Sequence, residues 1–167
     1  MKVYVHGNEL LEHFTERGDD LVVAGDAHAS RQNVKRWLNH YCRRQDCDAV
    51  LVWDGTPPGE VRTPGEQFGR VQVTNLPHGE SAFAEISGPA NRTAVEERTF
   101  VVTSDHRLID VLRPGRAAVF SAAQFVARAR RMMGKTDEEL AREPDQKFTG
   151  VSEDEVEFWV DFFNQDD

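Results

Sequence analysis

The sequence is poor in cysteine, with only Cys42 and Cys47 in 167 residues. So few exclude a disulfide-built scaffold, and together with His40 they match no common zinc-ligand spacing. Cys42 falls on the apolar side of a helical pattern and reads as a buried thiol. Long hydrophobic runs are missing too. No apolar stretch is longer than a short strand, far below the roughly 20 residues of a membrane-spanning helix. Residues 1–10 have neither a basic leader nor a long apolar core, so no signal peptide and no membrane association are expected, and the cytoplasm is the expected compartment. No G-x-G-x-x-G follows a strand pattern and no G-x-x-x-x-G-K-[ST] occurs, which leaves a dinucleotide or P-loop site unsupported.

Positive charge is scarce only at one end. The formal net charge is −9, but residues 136–167 hold twelve acidic against two basic residues, or −10, leaving residues 1–135 at +1. A neutral body with an acidic tail argues against tight, salt-driven binding of arbitrary nucleic acid, while leaving room for a local basic patch. With 39% hydrophobic and 29% charged residues, the chain has the composition of a globular protein. Its length suits one domain with a sizeable core.

What is present alternates. Residues 2–5 read as a short strand ending at His6-Gly7, and residues 9–14 as a short helix. Residues 21–24 read as another strand. Ser30 caps a helix whose apolar positions Val34, Trp37, Leu38, Tyr41 and Cys42 follow i, i+3, i+4, i+7, i+8. The strand at 49–53 ends in Asp54-Gly55, a long loop fills 55–69, and 70–74 returns as a strand. A helix from about Ser81 is broken early by Gly88-Pro89. The run at 99–102 is a buried strand that stops at Thr103-Ser104-Asp105, before a helix through Leu108 and Leu112. A last strand at 117–120 leads to a capping box, Ser121 with Gln124, and a helix to Met133. Two further capping boxes, Thr136 with Glu139 and Ser152 with Glu155, open an acidic helix and a final aromatic one carrying Trp159 and Phe163. The expected organisation is a domain over 1–133 and an acidic extension over 134–167 whose terminal helix docks on that domain.

Strands alternating with helices imply an α/β fold with a mainly parallel sheet between helical layers. In such sheets ligands sit beyond the carboxyl ends of the strands. Asp54 and Asp105 both fall there. They are the sharpest signals in the chain, although Asp is also a common helix cap. Two basic helix faces, with Arg31 and Lys35 on one and Arg128 and Arg131 on the other, are solvated faces by default and phosphate contacts in the alternative reading.

These motifs resemble the YacP-like NYN domain family of the PIN-like nucleases. V-L-V-W-D-G at 50–55 resembles the family's Asp-ended second strand, and V-V-T-S-D-H-R-L at 101–108 its V-x-S-D-x-x-L element. H-G-E-S-A at 78–82 resembles the segment that runs Gly-Glu-x-Ala-Asp-Asp into a helix, and V-Y-V-H-G-N-E-L at 3–10 stands where the family has I-D-G-x-N-L. The run at 150–163 is similar to the tail of planctomycete-type members. The resemblance implies a three-layer PIN-like fold and divalent-metal-dependent cleavage of RNA, with Asp54, Glu80 and Asp105 as catalytic carboxylates, His6 beside them as a ligand, and Mg2+ or Mn2+ as cofactor. In the competing reading of a non-enzymatic domain, contacts with RNA, a ribonucleoprotein or a protein partner fall on the two basic faces, and Ser104 is a further candidate for contact with RNA.

The chain departs from the pattern at three points. His6 replaces the first-strand Asp, Glu9 replaces the following Asn, and Phe83-Ala84 replace the helix Asp pair. Three readings stay open: a working site altered by His6 and by Glu9 or Asp26; a non-cleaving RNA-binding or adaptor domain; or aspartates that only cap helices.

Overall fold

The computed structural model describes residues 1–56 and 66–134. Along the chain these form β1 (Lys2–His6), α1 (Gly7–Glu16), α2 (Ala27–Arg44), β2 (Asp48–Thr56), β3 (Glu66–Phe68), β4 (Val71–Pro77), α3 (Ala82–Glu96), β5 (Thr99–Val102), α4 (His106–Leu112), β6 (Ala118–Phe120) and α5 (Ala122–Met133). Residues 1–133 make one compact unit. The capping boxes at Thr136 and Ser152, the final aromatic helix and the middle of the 55–69 loop lie outside the described residues.

The β-branched runs pair into a six-stranded sheet of order β3-β4-β2-β1-β5-β6. β1 lies parallel between β2 and β5, β4 and β6 extend the sheet in parallel, and only β3 runs antiparallel, against β4. Alternation along the strands divides the core. Val3, Val5, Leu51, Trp53, Phe100 and Val102 pack under α1, α2 and α5, with Phe14, Leu38, Tyr41 and Phe125. Tyr4, Val52, Leu76 and Val101 pack on the opposite side with Ile86 and Ala90 of α3 and Leu108 and Leu112 of α4. The result is a three-layer α/β/α sandwich. Among the described residues, no helix is long and apolar enough to cross a membrane.

Four local expectations are corrected. Residues 21–24 form no strand. Val22 N–H donates to the Asp19 carbonyl, Leu21 N–H to the Asp19 carboxylate and Val23 N–H to the Ser30 hydroxyl, so polar neighbours satisfy this backbone within a loop. The helix expected from Ser30 starts earlier, at Ala27, with Asp26 as its cap accepting from Ala29 N–H, and Ser30 lies buried inside it. Gly88-Pro89 does not end α3, which runs on to Glu96. Ile86 and Ala90, fully buried on either side of the pair, hold the helix against the sheet, and a Tyr4–Thr93 hydroxyl contact of 2.8 Å fastens its far half. Tertiary packing here outweighs a proline cost of about 3 kcal/mol. Finally, the loop at 55–69 contains the edge strand β3, tied to α2 where Lys35 Nζ meets Glu66 at 2.8 Å and lies 4.7 Å from the Phe68 ring centroid. The Ser121–Gln124 capping box forms as expected, each residue accepting from the other's backbone N–H.

Candidate functional site

The strand order reverses about β1: the chain moves from β1 to β2 and β4 on one side, then crosses to β5 and β6 on the other. The carboxyl ends of β1, β2 and β5 therefore frame a crevice at a topological switch point. His6 ends β1, Asp54 lies near the end of β2, and Thr103, Ser104 and Asp105 follow β5.

Asp54 is not at a strand terminus as expected. β2 continues through it to Thr56, but the pairing with β4 shifts between Trp53 and Thr56, and Gly55 takes a left-handed φ of 64°. A bulge of this kind re-aims a side chain. It is held by Asn8, whose side-chain oxygen accepts from Asp54 N–H at 3.1 Å and whose side-chain nitrogen donates to the Asp54 carbonyl at 3.0 Å. The last β1–β2 pair is His6 with Val52. Beyond it the Asn8 amide takes the place of the missing strand backbone.

The Asp54 carboxylate lies 3.1 and 3.2 Å from His6 Nε2 through its two oxygens, and accepts from Ala82 N–H at the start of α3 at 3.4 Å. On the other ring nitrogen, Nδ1, His6 meets Glu9 at 2.7 Å. Glu9 then reaches across to the β5 end, accepting from the Thr103 hydroxyl at 3.0 Å and from Ser104 N–H. One line of contacts thus joins β2, β1, α1 and the loop after β5. Burial alone would lower the His6 pKa, but the hydrogen bonds and negative charges of Glu9 and Asp54 outweigh it and hold the imidazole above its ordinary value. Burial would raise Glu9; contacts with His6, Ser104 N–H and Thr103 overcome that and hold it below its ordinary value. His6 and Glu9 thus favour the charged form in each other's presence.

The residues expected at the site separate into two groups. His6 and Asp54 are in contact. Asp105 turns back to cap α4, accepting from Arg107 N–H at 2.9 Å with the Arg107 guanidinium 3.4 Å away. Slight burial is outweighed by these Arg107 contacts, which keep its carboxyl below the ordinary range. Glu80 is exposed in the turn before α3. Ser104 is exposed and gives its backbone N–H to Glu9. Among the basic residues, Arg31 stacks 5.0 Å from the Trp53 ring centroid and Arg128 lies 5.8 Å from that of Phe100, while Arg131 is exposed. Lys35 is only 6% exposed and spent on β3, so it is no member of a solvated basic face. Asn8 and Thr103 were not singled out by sequence reasoning. The available signal for Asn8 was an amide directly after Gly7, where a helix begins beside a strand end.

Among the described residues, no group of three or more His, Cys, Asp or Glu side chains is placed to hold a metal ion. What stands together is the pair His6 and Asp54, backed by Glu9 on the far ring nitrogen. Two donors suit a cation that keeps most of its shell as water and phosphate oxygen. A carboxylate behind a histidine is also how metal-ligating imidazoles are oriented.

The comparisons with known proteins agree with this architecture. Two crystal structures of Rae1 (YacP) from Bacillus subtilis are similar in fold. One gives a TM-score of 0.65 at 16% identity, covering 99% of this chain and 96% of that one. The other, of a tryptophan-to-leucine mutant of that protein, gives 0.61 at 17% identity, with 78% and 76% covered. No curated protein matches the sequence. A profile of the YacP-like NYN domain matches residues 9–159. With that match spanning most of the chain and a PIN-like sandwich around the His6–Asp54 crevice, the protein belongs to the YacP-like NYN domain family.

Proposed function

We propose that this protein is a divalent-metal-dependent endoribonuclease that cleaves RNA phosphodiesters at the crevice between β1, β2 and β5. The observation that carries the reading is the contact between His6 Nε2 and the Asp54 carboxylate at the switch point of a nuclease-family fold.

His6 and Asp54 would hold the cation, with Mn2+ favoured over Mg2+ because one of the two donors is an imidazole nitrogen. When bound, such a cation lowers the pKa of a coordinated water and offsets charge on the phosphoryl group. The chain's own residues do the rest. Asn8 fixes the Asp54 backbone and Ala82 N–H donates to its carboxylate; Glu9 fixes the His6 ring through Nδ1. Because Glu9 and Asp54 hold the His6 pKa above its ordinary value, a proton competes with the cation for the imidazole. In this reading Asp105, paired with Arg107, and the exposed Glu80 are not ligands in the free protein, and Ser104, Arg31, Arg128 and Arg131 are the residues offered to the RNA backbone.

The test is a melting curve with and without Mn2+ or Mg2+, paired with an RNA cleavage assay. Saturating cation at about 100 times its Kd should stabilise the fold by about 2.7 kcal/mol. Asp54→Asn should abolish both that rise and cleavage, and His6→Asp should shift the preference towards Mg2+. Cation-indifferent melting together with intact RNA in the wild type would overturn the reading and leave a non-cleaving RNA-binding or adaptor domain.

A further inference from the structure

We propose that Phe83, with Arg107 over it, is a stacking platform for one unpaired base of the RNA, next to the nucleotide whose phosphate enters the crevice. The inference rests on the RNA-directed reading above and narrows its substrate to single-stranded RNA.

Phe83 is the second residue of α3 and follows directly on Ala82, whose N–H reaches the Asp54 carboxylate. It is half-buried. Its inner side packs against the cluster that holds Leu76, Ala82 and Ile86. The Arg107 guanidinium carbon lies 6.0 Å from its ring centroid. Arg107 is itself 78% exposed and is held towards this spot by Asp105. An aromatic face and a guanidinium plane thus stand together at the rim, anchored to the two aspartates that the sequence singles out.

The phenylalanine ring offers nothing to a phosphate, and together with the guanidinium beside it gives a nucleobase a surface to stack on. Unpaired bases stack on aromatic rings and on guanidinium planes, whichever base it is. In an A-form duplex the bases are stacked on one another and cannot reach such a platform. The platform therefore selects loops, bulges and ends without selecting sequence.

The test compares wild type with Phe83→Leu, which keeps the inner packing and removes the ring, and with Phe83→Trp, which keeps a ring. The probes are a short single-stranded oligoribonucleotide carrying 2-aminopurine and the same sequence as a duplex. Phe83→Leu should lose about tenfold in affinity for the single strand, with 2-aminopurine no longer quenched, an unchanged salt slope and unchanged duplex binding. Phe83→Trp should bind the single strand at least as well as wild type. Wild-type affinity and quenching in Phe83→Leu, or equal losses on single strand and duplex, would overturn the platform while leaving the nuclease reading intact. Stacking without cleavage in the wild type would sink the nuclease reading alone. Failure of the wild type to bind RNA at all would overturn both.

Discussion

Asn8 holds Asp54 by its backbone, accepting from its N–H at 3.1 Å and donating to its carbonyl at 3.0 Å. A side chain does here what a neighbouring strand does elsewhere in the sheet, and so carries the ladder one step past the end of β1. Asn8→Ala should leave both Asp54 groups without that partner. The expected cost is about 1–3 kcal/mol of stability, read as a lowered Tm, with a larger loss of cation response than of fold. Asn8→Asp should be worse than Asn8→Ser, because a carboxylate cannot donate to the Asp54 carbonyl.

Gly7 is required by close approach. A Cβ there would stand 2.6 Å from the Trp53 ring, while Arg31 stacks 5.0 Å from the same ring's centroid. Gly7→Ala must push α1 away from β2, and His6 and Asn8 move with it. We expect about 1–3 kcal/mol of destabilisation, as for other overpacked sites. Trp53→Phe in the same background should recover part of it, measured by urea denaturation.

The His6–Glu9 contact predicts a pH window for stability. His6 is held above its ordinary 6.5, so its contribution is complete below about that pH and is lost as pH rises through the folded value. Glu9 is held below its ordinary 4.5, so its contribution is complete above that pH and fades as pH falls through the folded value. Both operate together between about 4.5 and 6.5. Unfolding free energy measured across pH should show the alkaline decline in wild type and a flatter limb in His6→Gln. Identical limbs in the two proteins would remove His6 from the account.

Lys35 and Glu66 join α2 to the edge strand β3 at 2.8 Å, the lysine buried and the glutamate side chain 41% exposed. Solvent screening at the exposed partner limits the ion pair to at most about 1 kcal/mol. Glu66→Gln should therefore be mild, whereas Lys35→Ala also strips a buried stem from against Phe68 and should cost more. A double-mutant cycle read by thermal unfolding separates the two terms.

Much of the fold was legible in the sequence for plain reasons. The β-branched runs at 2–5, 49–53 and 99–102 are buried on both faces of a parallel sheet, and that setting demands unbroken apolar residues. The Ser121–Gln124 box is local chemistry, complete within four residues. Where the hydrophobic pattern misled, side-chain partners and burial decided. Residues 21–24 look like a strand but lie beside Asp19 and Ser30, which take their hydrogen bonds. Gly88-Pro89 look like a stop until Ile86 and Ala90 are buried on either side of them.

The site divides in the same way. Local sequence was enough for the family, the α/β alternation and the candidates His6, Asp54 and Asp105, because short motifs at strand ends are contiguous and survive reading one residue at a time. Which of those candidates meet was settled by the folded chain. His6 and Asp54 stand 48 positions apart in sequence and Glu9 and Ser104 95 apart, and a contact between strands is set by sheet order and register, which no local pattern encodes. Asp105, in the same kind of motif as Asp54, turns to its own helix because the nearest donor, Arg107 N–H, lies two residues away.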